Sequence, residues 1–114
     1  MIKIYHNNSC SKSCSALAAI KQTGEAFELV EYLKEVPSIK ELTTIVAQLE
    51  CSPHDLIRVN ESVYQQQFKE KNLSDEEWIR VMHENPILIQ RPIIINGNKA
   101  TVARTAVLVK DAIG

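Results

Sequence analysis

With 114 residues, 45% hydrophobic and 24% charged, the chain has the length of one ordinary domain with a single buried core. That composition excludes a disordered, collagen-like or coiled-coil chain. A formal net charge of −1 gives no support to a direct, bulk electrostatic binder of nucleic acid. The charge is unevenly spread, however. Residues 1–24 carry three lysines and no acid, residues 25–85 six basic and thirteen acidic side chains, and residues 86–114 four basic and one acidic. Both ends are positive and the middle is strongly acidic.

The first residues, Met1–His6, alternate in the manner of a strand before the polar break Asn7-Asn8-Ser9. From Cys10 or Ser11 the pattern turns helical, with Leu17, Ala18 and Ile20 as its apolar face and Gly24 as its closing residue. Phe27–Tyr32 alternates again, so the opening reads β-α-β, with two parallel strands and a right-handed crossover. Ser38 with Glu41 three residues on is a capping box, starting a helix with the stripe Ile39, Leu42, Ile45, Val46, Leu49. Short helical turns follow at Ser52–Ile57 and Val63–Phe68. Ser74 with Glu77 starts another helix, carrying Trp78, Ile79, Val81 and Met82 to about Glu84.

Ile87–Ile95 reads as β-rich, interrupted by Arg91-Pro92, and Asn96-Gly97 signals a hairpin to a last strand at Lys99–Val102. Arg104–Ile113 reads as a final helix. With the helical block at about 37–85 set aside, the order is that of a thioredoxin or glutaredoxin domain. The expected architecture is a single α/β domain over 1–114, thioredoxin/glutaredoxin-like, with an inserted helical subdomain.

No apolar run approaches the ~20 residues of a membrane span, and no stretch of signal-peptide length opens the chain. Three cysteines, Cys10, Cys14 and Cys51, are too few for a secreted disulfide framework. A cytoplasmic monomer with no membrane partner is expected. A metal site is not, because Cys51, His6, His54 and His83 do not make paired ligand spacings.

Cys10 follows a strand and opens a helix, where orphan backbone N–H groups and the helix dipole favour a thiolate. Asn7, Asn8, Ser9, Ser11 and Ser13 around it offer small polar groups for an approaching oxyanion. Cys14, four residues on, shares the helix face; it reads equally as a resolving thiol or as a small core residue. Arg91 breaks an apolar strand and precedes Pro92, and a proline between β-like segments suggests a tight peptide of the kind that can be cis. Arg104 sits at a helix start, where a cation opposes the dipole, so a non-structural role is expected. A thiolate beside arginines is the chemistry of attack on an oxyanion.

The run Tyr5-His6-Asn7-Asn8-Ser9-Cys10-Ser11-Lys12-Ser13 resembles the Tyr-His-Asn-Pro-x-Cys-x-x-Ser-Arg opening of the ArsC/Spx family, the glutaredoxin-linked arsenate reductases and their relatives. Leu56–Asn60 is similar to that family's Leu-Leu-Arg-x-Asn segment, and Pro86–Ile93 to its Pro-Ile-Leu-Ile-x-Arg-Pro-Ile block. The resemblance runs from residue 2 to about residue 110. It implies a cis peptide before Pro92, Cys10 as the nucleophile, and Arg58, Arg91 and Arg104 as the oxyanion clamp. It also implies supporting roles for His6 and Ser13, no tightly bound cofactor, and resolution of the thiol adduct by glutathione and glutaredoxin. His6 reads either as an imidazolium that lowers the thiol pKa or as a structural hydrogen-bonding residue. Two departures stand out: Asn8 replaces the usual proline, and Cys14 stands where many relatives have arginine.

Three functions follow in order. The first is an arsenate reductase-like oxidoreductase acting on a small oxyanion. The second is a general thiol-disulfide oxidoreductase using Cys10 and Cys14. The third is a Spx-like redox-sensing regulator that binds RNA polymerase, ranked last because Ser13 stands where those relatives carry a second cysteine.

Overall fold

In the computed structural model, which describes residues 2–113, alternating apolar side chains build a four-stranded sheet in the order β2-β1-β3-β4. β1 (Ile2–His6) runs parallel to β2 (Phe27–Glu31), with His6 opposite Glu31, and antiparallel to β3 (Ile93–Asn96). β4 (Lys99–Val102) closes the sheet as the second arm of a hairpin. The loop residues of that hairpin are Gly97 and Asn98, with Gly97 at φ 64°. Glycine thus stands first in the turn, as a II′ geometry requires, one place later than the Asn96-Gly97 pairing expected from sequence.

The β-α-β opening is as the sequence reads. α1 (Ser11–Thr23) starts with Cys10 in extended backbone as its N-cap and ends on Gly24, whose φ of 74° suits a residue without Cβ. Its buried face is Ser13, Ala16 and Ile20, while Ala18 is exposed. Of the expected face, Ile20 is buried and Leu17 packs against the core, whereas Ala18 does not belong to it. α5 (Ala106–Ile113) begins later than expected, because Thr105 caps it by accepting the Leu108 N–H at 3.2 Å. Arg104 is consequently outside the helix. Ile2, Ile4 and Ile94 from the sheet pack with Ala16 and Ile20 of α1 and Val109 and Ala112 of α5 in one buried cluster.

The chain divides into two compact units: Met1–Glu35 with Arg91–Gly114, which holds the sheet, and Val36–Gln90. The second unit contains α2 (Ile39–Leu49), α3 (Ser62–Gln67) and α4 (Asp75–Glu84), with a 3-10 turn at Pro53–Leu56. Ser38 accepts the Glu41 N–H at 3.0 Å to start α2. Ser74 and Glu77 exchange backbone-to-side-chain bonds of 3.0 and 3.2 Å to start α4. Leu42, Ile45 and Val46 of α2 and Trp78, Ile79, Val81 and Met82 of α4 are buried. Trp78 meets His54, Tyr64 and Phe68 at ring-centroid distances of 4.9, 6.1 and 6.3 Å.

The expected strand over Ile87–Ile95 is only half present. Pro86–Leu88 forms a 3-10 turn, and Ile89 makes an isolated antiparallel bridge with Ile57. The Arg58 N–H donates to Leu88 O at 2.7 Å and the Gln90 N–H to Leu56 O at 2.9 Å. Pro86, with no N–H to give a ladder, leads that turn, and regular strand begins only after the cis Arg91–Pro92 bond.

Candidate active site

Cys10 sits where β1 hands over to α1. Its N–H donates to Asn7 O at 3.1 Å, and its carbonyl accepts the Cys14 N–H at 3.0 Å as the first helical bond. The thiol is half-buried, which by itself raises its pKa, yet the pKa is lowered from the ordinary 9.0. The Ser13 and Lys12 backbone N–H groups and the Arg91 guanidinium favour the thiolate electrostatically, although the Cys10 side chain makes no capping hydrogen bond. Together these outweigh the cost of burial. The Nε of Arg91 is buried and has no hydrogen-bond partner. A cation that acts on the thiolate while holding an unused buried donor can take up an acceptor oxygen.

The loop is held from beneath by His6 and Ser13, both fully buried. Ser13 Oγ accepts the Asn7 N–H at 3.1 Å and meets His6 Nδ1 at 2.6 Å; His6 Nε2 meets Asn8 Oδ1 at 2.7 Å. Asn8 Nδ2 in turn donates to Glu31 Oε1 at 2.6 Å. The assignment that uses each proton once has His6 donating from Nε2 and accepting from Ser13 at Nδ1. Both ring nitrogens are thereby committed to the loop. Asn8, in the family's proline position, makes side-chain bonds on both sides that a proline could not. Glu31 was not legible as part of this chain of bonds; its signal is the β1–β2 register, which pairs it with His6.

Cys14 is exposed, and its thiol donates to Asn8 O at 3.4 Å. The Pro92 carbonyl accepts the Ala103 N–H at 2.9 Å, which sets the residue before Arg104 against the residue after Arg91. Arg104 is exposed and makes no side-chain hydrogen bond or ion pair among the described residues. Arg58 lies in the second unit, where its Nη1 donates to Ile87 O at 3.2 Å and pairs with Glu61 at 2.6 Å. Cys51 lies in the same unit; burial and the nearby Asp55 carboxylate push its thiol up.

A thioredoxin-like α/β protein with a lowered-pKa cysteine at the N-cap of its first helix is the class that this fold and loop define. The chain belongs to the ArsC family, whose model matches residues 5–111. It is 36% identical over 105 residues to an arsenate reductase of Neisseria meningitidis, covering 90% of each chain. It is 33% identical to the Escherichia coli protein YfgD, described as uncharacterized, over 99% of this chain and 97% of that one. The solved arsenate reductase of Vibrio cholerae superposes with a TM-score of 0.86 at 32% identity, covering 98% of this chain and 94% of that one. No helix among the described residues is long and apolar enough to cross a membrane.

Proposed function

We propose that the protein is an arsenate reductase-type oxidoreductase in which the Cys10 thiolate attacks an arsenic(V) oxyanion. The observation that carries this reading is the buried Arg91 Nε with no hydrogen-bond partner, on a guanidinium whose charge lowers the Cys10 pKa. Arg91 and the unpaired Arg104 bind the oxyanion and stabilise charge as it develops; Arg58 is assigned to the same anion on the Leu56–Asn60 resemblance alone. The sulfur–arsenic bond forms as an arsenic–oxygen bond breaks, and that oxygen leaves as water after protonation. Glutathione thiolate then attacks the Cys10 sulfur. The sulfur–arsenic electron pair passes to arsenic, giving arsenite and a Cys10–glutathione disulfide that glutaredoxin reopens. His6 and Ser13 position the loop, and Pro92 fixes the backbone beside Arg91.

The test is arsenate turnover with glutathione and glutaredoxin in the parent, Cys10→Ser and Cys14→Ser proteins. The reading expects turnover in the parent, a loss of at least about a thousandfold in Cys10→Ser, and retention in Cys14→Ser. A parent that does not reduce arsenate sinks it. A second reading is favoured by the Cys14 thiol, which is exposed and bonded to the Cys10 loop one helical turn on. In it, Cys10 and Cys14 form a disulfide during general thiol-disulfide exchange. Mass spectrometry after mild oxidation distinguishes the two, because only the second expects an intramolecular Cys10–Cys14 bond.

A further inference from the structure

Between α1 and α5 lies an open cavity of about 620 Å³, a size typical of sites for small organic ligands. A bare tetrahedral oxyanion would leave most of it empty. Its body is apolar, built from Ala16, Ala19, Val109 and Ile113. Lys12, in the first turn of α1, and Arg104, just before α5, line one part, and Lys110 adds a third cation along α5. No carboxylate lines the cavity, and no ion pair among the described residues engages any of these three cations. Unneutralised positive charge beside an apolar floor is complementary to an anion that carries a hydrocarbon body.

We propose that this cavity binds an organic oxyanion, with a tetrahedral anionic head among Lys12 and Arg104 and an aryl or short alkyl body on the apolar floor. The site lies within the sheet-bearing unit and shares Arg104 with the anion site argued above, so its head-group end rests on that reading. Its apolar body does not. It extends the ligand class from inorganic to substituted oxyanions. Ser11 and Ser15 add hydroxyls along the α1 side.

Calorimetric titration of the full chain with phenylphosphonate and with inorganic phosphate tests the proposal. Phenylphosphonate should bind at least about tenfold more tightly, because only it covers the apolar floor. Ser15→Glu places a carboxylate at an exposed position of the lining, so the helix remains intact. It should abolish the preference for phenylphosphonate. Amide shift mapping in the parent should place the phenylphosphonate response on α1 and α5. Equal affinity for the two anions, or a preference that survives Ser15→Glu, overturns the proposal. Turnover of arsenate without aryl preference removes the cavity proposal alone. Aryl preference without arsenate turnover removes the reductase reading alone.

Discussion

Cys10 and Cys51 are both half-buried thiols beside the start of a helical turn, and their pKa values move in opposite directions. Burial raises both. What separates them is the sign of the neighbouring groups: two backbone N–H donors and Arg91 at Cys10, and the Asp55 carboxylate at Cys51. Asp55 is itself held in place by the Ser52 N–H and hydroxyl at 3.3 and 3.0 Å. The pKa of the same residue type is thus lowered in the positively charged sheet-bearing unit and raised in the acidic helical unit. A helix start alone does not make a thiol reactive; a preorganised cation with no competing acid does.

The comparison breaks most severely at Ser13. Its hydroxyl serves His6 and the Asn7 N–H at once, so Ser13→Ala leaves two buried groups unpaired. Stability should fall by about 1–3 kcal/mol, read from urea unfolding. The Cys10 loop loses its support as well, so iodoacetamide alkylation of Cys10 should slow. Unchanged alkylation would show that the Cys10 environment does not depend on the His6–Ser13 pair.

Arg91→Ala removes the guanidinium that holds the Cys10 pKa down. Alkylation of Cys10 at neutral pH should slow by about tenfold, while Cys51 keeps its rate. Peptide-resolved mass spectrometry reads both thiols in one experiment. A Cys10 rate that survives the substitution would assign the activation to the Ser13 and Lys12 N–H groups alone. By contrast, Ser74→Ala removes a cap remote in sequence from either thiol. It should cost about 1 kcal/mol of stability and leave both alkylation rates as they are.

How much of this was readable beforehand depends on how local the cause is. The caps at Ser38 and Ser74, the Gly24 stop and the hairpin rest on residues three or four apart, and all are present. The strand expected at Ile87–Leu88 failed because apolar runs do not distinguish a strand from a 3-10 turn when proline opens the run. The sequence pattern puts Arg104 inside the last helix, whereas Thr105 supplies the cap and leaves Arg104 before it. Cys10 and Arg91 were legible from position. The Asn8–Glu31 bond was not, because it depends on a strand register across 23 residues.

The subtlest expression of the contrast is in stability against pH. Between the lowered folded pKa of Cys10 and the ordinary 9.0, the unfolded chain holds a proton that the folded protein has lost. Stability from this group therefore rises with pH across that window, is complete above 9.0, and is lost as pH falls through the folded value. Cys51 acts in the opposite sense. Above 9.0 and up to its raised folded pKa, the folded protein holds the extra proton, so stability falls as pH rises. Thermal unfolding followed from neutral to alkaline pH should show the upward slope vanish in Cys10→Ser and the downward slope soften in Cys51→Ser. If the two variants instead changed the same limb of the curve, the two thiols would share an environment, and the contrast between their neighbours would not be what sets their chemistry.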